Sequence, residues 1–113
     1  MKVQLDAERL DATFFALSDP TRRAILLQLA SGEASVNELT LRFSISQPAI
    51  SRHLKVLEKA GLIRRSRDAQ RRPAALDPKS MEDVSAWLER YRESWESAYQ
   101  RLNNAMSEHM KGT

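Results

Sequence analysis

The sequence predicts a mainly α-helical fold of about five helices with one two-stranded β-hairpin, and two observations support this prediction. Apolar residues recur at helical spacing in segments that are separated by N-cap residues, prolines and glycines. The helical pattern stops after Gly61, where residues 62–67 and 72–76 have the composition of two short strands. A chain of 113 residues is long enough for one compact domain, so we expect residues 1–113 to form a single unit.

Three helices are predicted in the first part of the chain, each from its own start signal. Residues 8–18 form an amphipathic helix. Asp19-Pro20 is an N-cap followed by proline at the first helical position, which starts a second helix. Ser35 and Glu38 have the spacing of a capping box, which starts a third helix. The apolar residues of these helices are Leu10, Phe14, Phe15 and Leu17 in the first, Ile25, Leu26 and Leu29 in the second, and Val36, Leu39 and Phe43 in the third.

Residues 46–63 are the most informative segment, because they predict a fourth helix with two different faces. Ser46 is its N-cap and Gly61 ends it. One face is an apolar stripe at i, i+4 and i+7, formed by Ile50, Leu54 and Leu57. The other face has no acid and consists of Pro48, Ser51, Arg52, Lys55 and Lys59. Such a helix has the chemistry needed to enter a DNA major groove, and with the third helix it forms a helix-turn-helix unit.

The hairpin that follows contains the basic excess of the chain, whose net charge is +3. Residues 61–77 contain two aspartates and five arginines, which are Arg64, Arg65, Arg67, Arg71 and Arg72. A concentrated basic patch beside a groove helix attracts phosphate and strengthens DNA binding without selecting a sequence. The hairpin is therefore the predicted wing of a winged helix-turn-helix domain. Its turn has no glycine, and Pro73 restricts its strand to an edge or disturbs the pairing.

The last predicted helix, residues 78–110, is too long for a domain of this size to cover. Asp77-Pro78 starts it, and at about 1.5 Å per residue it would extend for about 50 Å. Its apolar residues alternate in steps of three and four: Met81, Val84, Leu88, Tyr91, Trp95, Ala98, Leu102 and Ala105. This heptad seam predicts a partner, and the simplest partner is a second copy of the chain.

Residues 15–26 (FALSDPTRRAIL) and 46–57 (SQPAISRHLKVL) together resemble the ArsR-type winged-helix transcriptional repressors of prokaryotes. The resemblance covers roughly residues 10–90. It implies a homodimer, joined through its first and last helices, that binds a pseudo-palindromic operator in double-stranded DNA and usually represses. The dimer interface expected from the seam and the resemblance consists of Leu10, Phe14, Val84, Leu88, Tyr91, Trp95, Ala98 and Leu102.

The resemblance also implies roles for individual residues of the groove helix. By position, Gln47, Ser51 and Arg52 correspond to base-reading residues, and His53 and Lys55 to neighbours of the phosphates. His53 also lies close to the buried stripe, where a packing histidine with one hydrogen bond is the preferred interpretation. The DNA-binding set predicted for this chain is Gln47, Pro48, Ser51, Arg52, His53, Lys55, Arg65, Arg67, Arg71 and Arg72.

The sequence departs from the metal-sensing branches of that family. Thr40 and Arg42 occupy the positions where some members carry paired cysteines, and this chain has no cysteine. The last helix has one histidine, His109, and no Asp-x-His pair, so we expect no metal ion or other cofactor. The acidic residues Glu89, Glu93 and Glu96 are interpreted as solvent-facing or paired with Arg90, Arg92 or a partner chain.

Other classes of protein are disfavoured. The chain has no nucleophile motif, no glycine-rich phosphate loop and no metal-ligand spacing, so we expect no enzymatic activity. It has no apolar run of membrane-spanning length and no secretory signal, and we expect a cytoplasmic location.

Two alternatives stay open at this point. In the first, the protein is a ligand-responsive sensor with an effector site in the aromatic row of the dimer core, which is Trp87, Tyr91, Trp95 and Tyr99. In the second, it is a protein-interaction module that has lost DNA binding, as the altered wing at residues 68–75 would allow.

Overall fold

The computed structural model describes residues 6–67 and 71–111, and within them five helices and one antiparallel hairpin follow one another. The elements are α1 (Ala7–Leu17), α2 (Pro20–Leu29), α3 (Val36–Phe43), α4 (Gln47–Lys59), β1 (Ile63–Arg65), β2 (Ala74–Leu76) and α5 (Pro78–Lys111). The predicted mainly α-helical architecture with a two-stranded hairpin and a long last helix is confirmed. None of the helices described has an apolar stretch that could cross a membrane.

The helices begin where the capping signals predict. The side chains of Asp6, Asp19 and Ser46 each accept a hydrogen bond from the backbone amide three residues later. At α3 the capping box is complete: Ser35 Oγ accepts from the Glu38 amide at 3.2 Å, and Glu38 Oε1 accepts from the Ser35 amide at 2.9 Å. Each such cap stabilises a helix by about 1 kcal/mol, because it satisfies amides that have no intrahelical acceptor.

The core lies around α4, which packs against α1, α2, α3 and β1. The predicted stripe of α4, Ile50, Leu54 and Leu57, is 0% exposed. Ile25, Leu29 and Leu39 from the preceding helices are also buried, and the core is completed by Ala16, Ala34, Ala60, Leu62, Ile63 and Ala74. The predicted inner faces of the second, third and fourth helices are therefore confirmed.

The first helix differs from this pattern. Its buried residues are Thr13 and Ala16, whereas the large aromatic side chains of Phe14 and Phe15 are exposed. Of the apolar residues predicted for α1, Leu17 packs against the core, but the two phenylalanines do not mark its core-facing side. The reason is steric, because small side chains let α1 lie close to the core while its phenyl rings project outward.

Two turns depend on backbone conformations with positive φ. Gly61 (φ 80°) ends α4 and directs the chain into β1. Ser44 (φ 54°) makes the turn between α3 and α4 although it is not a glycine, and its amide donates to the Thr40 carbonyl at 2.9 Å. The turn of the helix-turn-helix unit is thus made by a serine in the left-handed backbone conformation. Because glycine usually marks this conformation in a sequence, a serine gives no indication of it.

The strands are shorter than predicted. β1 and β2 pair antiparallel, with Arg64 opposite Ala75, and β2 begins only after Pro73. Arg72 has a φ of 41°, so it cannot continue the extended strand, and the hairpin closes with a bond from the Ser66 amide to the Pro73 carbonyl at 3.0 Å. Residues 68–70, where the predicted hairpin turn falls, lie outside the described part of the chain.

Two further contacts hold the hairpin to the rest of the domain. Ala34 and Ala74 exchange backbone hydrogen bonds of 3.0 and 2.8 Å, which adds the segment before α3 as a bridge on β2. Asp77, the one residue between β2 and α5, donates from its amide to the Leu62 carbonyl at 3.0 Å. Its carboxylate accepts from the Ser80 amide at 3.0 Å, which starts α5.

The last helix has 34 residues and leaves the domain soon after it starts. Its buried residues are Ser80 and Asp83, and Met81 and Val84 pack at the border of the core. From residue 88 to residue 111 every side chain is exposed, and the molecule extends for 69 Å along its longest axis. The predicted excess length of this helix is confirmed.

Candidate nucleic-acid interface

The outer face of α4 is solvent-exposed over most of the predicted reading surface. Gln47, Pro48, Arg52 and Lys55 are exposed, and Ser51 is partly buried. Within the described residues, Arg52 and Lys55 have no ion pair and no side-chain hydrogen bond. Because the opposite stripe is completely buried, the helix is held rigidly while its cationic side chains point to solvent.

Three wing arginines meet the start of α4 at one cleft. The cleft has a volume of about 210 Å³ and lies between Gln47, the first turn of α3 and the side chains of Arg65, Arg71 and Arg72. The structure therefore brings a predicted base-reading residue next to three of the predicted phosphate-binding residues.

The five arginines of the hairpin have different surroundings. Arg64 Nε lies 3.8 Å from the Asp77 carboxylate. Arg65 Nε donates to the Arg72 carbonyl at 3.0 Å, and partial burial, followed by the charge of Arg72, lowers the pKa of Arg65. Arg67 is exposed. Arg64 therefore lies next to Asp77, whereas Arg65, Arg71 and Arg72 line the cleft.

Arg71 makes the shortest of these contacts. Its Nη2 donates to Glu38 Oε1 at 2.7 Å, which joins the wing to the first helix of the helix-turn-helix unit. Glu38 also accepts the capping bond of Ser35. The backbone amide of Ser35 and then the guanidinium of Arg71 lower the pKa of Glu38 from its usual value of 4.5. Glu38 is thus a carboxylate that stays ionised at the edge of a basic cleft.

His53 lies on the inner side of the groove helix. Its Nδ1 is 3.4 Å from Arg22 Nη1 and 3.9 Å from the Asp19 carboxylate. These contacts, together with the partial burial of its ring, favour the packing interpretation of His53. A phosphate contact by His53 stays a prediction.

Arg22, which the sequence did not reveal as important, is the centre of this network. Its guanidinium is buried and donates to the Ala16 carbonyl at 2.7 Å and to the Phe15 carbonyl at 3.0 Å. The backbone bond from Arg22 to Asp19 is the main reason that the pKa of Asp19 is lowered, and the nearby charges of His53 and Arg22 act in the same direction. Arg22 is three residues before Ile25 on the inner face of α2, and this spacing is the signal that could have identified it.

A second exposed surface lies on α5 and α1, and we call it the aromatic face. Phe14 and Trp87 are in edge-to-face contact at 5.6 Å, and Trp87 stacks on Tyr91 at 5.0 Å between ring centroids. Trp95 continues the row at 5.9 Å from Tyr91. The aromatic face comprises Phe14, Trp87, Leu88, Tyr91, Trp95, Tyr99 and Leu102. Most of the predicted interface residues lie on it, while Leu10 and Val84 are partly buried beside it and Ala98 is exposed along the same helix.

No group of three or more metal-ligating side chains that could hold a metal ion occurs in residues 6–67 and 71–111. Glu89, one of the acidic residues on α5, is paired with Arg92 at 2.8 Å. That hydrogen bond lowers the pKa of the Glu89 carboxyl group.

Comparison with known proteins places these features in a family. A family model for bacterial regulatory proteins of the arsR family matches residues 19–65, which run from the N-cap of α2 to the end of β1. The HTH-type transcriptional regulator Rv2034 of Mycobacterium tuberculosis is 41% identical over 81 residues, which are 72% of this chain and 76% of that protein. The chain belongs to the ArsR family. The transcriptional repressor SdpR of Bacillus subtilis is 35% identical over 79 residues, which are 70% of this chain and 88% of that protein.

Solved structures agree with this assignment. The crystal structure of an ArsR family transcriptional regulator is 39% identical in sequence and superimposes with a TM-score of 0.72, covering 82% of this chain and 96% of that chain. An ArsR-like transcriptional regulator from Rhodococcus sp. RHA1 gives a TM-score of 0.73 at 26% identity, over 88% of this chain and 92% of that chain. This ArsR protein is therefore a transcriptional regulator with a winged helix-turn-helix DNA-binding fold, and its family is not one of enzymes.

Proposed function

We propose that this ArsR protein is a homodimeric repressor that binds a pseudo-palindromic operator of its own or an adjacent operon. The observation that supports it most is the exposed first part of α4, residues 47–55, which has no acid and lies beside the arginine-lined cleft. In a prokaryotic cell the protein would act in the cytoplasm, where the operator is. The domain would be a single unit of residues 1–113, with residues 78–110 as its dimerisation helix.

In this proposal the exposed residues of α4 read bases and the wing binds the backbone. Arg52 can donate two hydrogen bonds to guanine, and Gln47 can bind adenine in the same bidentate way. Ser51 is short enough to contact a base edge beside them. The arginines of the wing would contact phosphates, which adds affinity and salt dependence but no sequence preference.

Dimerisation would supply the symmetry that a palindromic site requires. The aromatic face leaves large side chains in water, such as Trp95 and Leu102, each 61% exposed, and a second copy would cover them. A two-fold dimer would place the two α4 helices about 34–36 Å apart, which is one turn of DNA.

Repression rather than activation is proposed from the relatives. SdpR, which matches 70% of this chain, is described as a transcriptional repressor. HlyU of Vibrio cholerae, described as a transcriptional activator, is 40% identical over only 55 residues, or 49% of this chain and 51% of that protein. Occupying the promoter and excluding the polymerase is the mechanism we propose.

The proposal is tested with the DNA upstream of its own gene and a random duplex of equal length, by fluorescence anisotropy over a series of salt concentrations. We expect Arg52→Ala to weaken operator binding by about 1–3 kcal/mol while random binding changes little. Arg67→Ala, an exposed wing arginine, is the matched control. It should weaken both complexes alike and reduce the salt slope by about 1.

Equal losses on both duplexes for Arg52→Ala would contradict base reading by that residue. A chain that binds neither duplex even at low salt, and is a monomer by light scattering, would favour the interaction module instead.

The sensor alternative predicts a small apolar compound that both stabilises the dimer and releases the DNA. A shallow hollow of about 220 Å³ beside Tyr91 and Trp95 is where such a compound would first be sought.

A further inference from the structure

The ion pair between Glu38 and Arg71 connects two parts of the proposed DNA-binding surface. Glu38 belongs to the first turn of α3, and Arg71 lies on the wing, 33 residues further along the chain. Both side chains are about half exposed, so the pair lies at the surface rather than in the core. One oxygen, Glu38 Oε1, accepts both the 2.7 Å bond from Arg71 and the 2.9 Å capping bond from the Ser35 amide.

The position of this pair gives it an electrostatic role. It borders the cleft where Arg65 and Arg72 converge with Gln47, so its carboxylate lies where the wing cations are most concentrated. A carboxylate oxygen and a phosphate oxygen accept from a guanidinium in the same geometry. An arginine held by Glu38 has its charge balanced within the chain, whereas an arginine on a DNA phosphate releases a counterion and adds to affinity.

We propose that Glu38 competes with a DNA phosphate for Arg71, so that operator binding must break this ion pair and random DNA lacks one phosphate contact. The inference rests on the proposed DNA binding. On the operator, the base contacts of α4 hold the wing against the backbone, so a phosphate replaces Glu38. On random DNA the contact is looser and Arg71 stays with Glu38. Glu38 thereby limits the affinity for DNA and the number of phosphate contacts without touching a base.

Glu38→Gln separates this role from helix capping. Glutamine completes a capping box as glutamate does, so α3 keeps its N-terminus while the charge is removed. Glu33→Gln is the matched control, since it removes one exposed acid shortly before α3 that has no ion pair within the described part of the chain. Arg71→Gln removes the cation for which Glu38 and the phosphate would compete.

The experiment measures operator and random-duplex affinity for the wild type, the three single variants and the Glu38→Gln/Arg71→Gln double variant across a salt series. We expect Glu38→Gln to tighten random binding by roughly two- to fivefold, the range for one exposed ion pair. Its salt slope should increase by about 0.9, for one added phosphate contact. The operator complex should tighten at least as much, because its binding no longer has to break the ion pair, while its salt slope should stay unchanged since Arg71 already contacts a phosphate there. In the Arg71→Gln background the effect of Glu38→Gln should vanish.

Two outcomes would overturn the inference. One is an equal effect of Glu33→Gln and Glu38→Gln, and the other is a persistent effect of Glu38→Gln without Arg71, since each indicates general charge rather than competition. A titration with inorganic pyrophosphate, followed through the NMR amide signals of Val36 and Asn37 in the cleft, needs no operator. If Glu38→Gln does not tighten pyrophosphate binding, the competition is wrong even where DNA binding is confirmed. If pyrophosphate binding tightens but no duplex is bound, the proposed function fails and the competition for phosphate stands.

Discussion

The buried stripe of α4 and the aromatic face of α5 have the same kind of helical periodicity but opposite surroundings. Leu54 in the stripe is 0% exposed, whereas Leu102 on the last helix is 61% exposed. The first pattern is satisfied within the chain, because α1, α2, α3 and the hairpin surround it. The apolar pattern of α5 extends beyond every other element of the described chain, so it stays exposed. Apolar periodicity therefore predicts that a helix face will be buried, and the geometry of the fold decides whether the chain itself can bury it.

The same leucine-to-alanine change in the two regions sharpens this comparison most. We expect Leu54→Ala to lower the free energy of unfolding by about 2–5 kcal/mol, because it opens a cavity in a closed core. Leu102→Ala should leave the unfolding of the monomer almost unchanged and raise the dissociation constant of the proposed dimer. Urea denaturation by circular dichroism, combined with sedimentation over a range of protein concentrations, separates the two effects. Similar unfolding losses at low protein concentration would contradict the distinction.

A smaller loss is expected where the core meets the groove helix. Arg22→Met removes a buried guanidinium that donates to two carbonyls at the end of α1, and we expect it to destabilise the fold by about 1.5–3 kcal/mol. Arg23→Met is the matched control, because exposed Arg23 donates to the Leu17 carbonyl at 2.7 Å while remaining in solvent. Its effect should be below about 1 kcal/mol. Thermal unfolding followed by tryptophan fluorescence measures both, and equal effects would show that burial of Arg22 is unimportant.

Acid should weaken the starts of α2 and α3, where Asp19 and Glu38 act as capping carboxylates. The pKa values of Asp19 and Glu38 are lowered in the folded chain, so both carboxylates stabilise it above their unfolded pKa values, usually 3.8 and 4.5. That stabilisation is lost as the pH falls through the lowered folded values. We expect constant urea midpoints from about pH 7 to about pH 5 and a decline below about pH 4.5.

The variant Asp19→Asn/Glu38→Gln keeps the capping geometry without the charges. We expect its urea midpoint to fall less on acidification than that of the wild type. An acid limb as steep as that of the wild type would show that other carboxylates are responsible for the decline.

The smallest expected effect has the opposite sign. Thr13 is buried on α1, and within the described residues its hydroxyl has no hydrogen-bond partner. Thr13→Val replaces that hydroxyl by a methyl group of similar shape and should stabilise the fold by about 1 kcal/mol. Thr40→Val is the control, since Thr40 Oγ1 donates to the Val36 carbonyl at 2.8 Å and should gain nothing. A loss of stability in Thr13→Val would show that its hydroxyl is satisfied in solution.

Features that depend on nearby residues could be predicted from the sequence. The capping residues Asp19, Ser35 and Ser46 and the stripe of α4 follow from spacings of a few residues, and the structure confirms them. The seam of α5 also followed from its spacing, and the structure leaves it exposed from Leu88 onward. Its role as a dimer interface stays a prediction, as do the base-reading roles on α4.

Contacts between distant segments could not be predicted in the same way. The pairing of Ala34 with Ala74, the approach of Arg22 to His53 and the bond from Arg71 to Glu38 depend on how the segments meet in space. No local pattern encodes such meetings. The start of the second strand was predicted too early for a related reason. Arg72 has a positive φ and cannot continue the strand, but an arginine in the sequence does not indicate that conformation.

The single-residue connection between β2 and α5 has a mechanical consequence. Asp77 is held by the bond from its amide to the Leu62 carbonyl and by the bond that its carboxylate accepts from the Ser80 amide. The wing and the long helix are therefore connected by one fixed residue. In the proposed dimer, we expect a change in the angle between the two long helices to change the positions of both wings. A molecule bound between those helices would thereby change the distance between the two wings of the dimer.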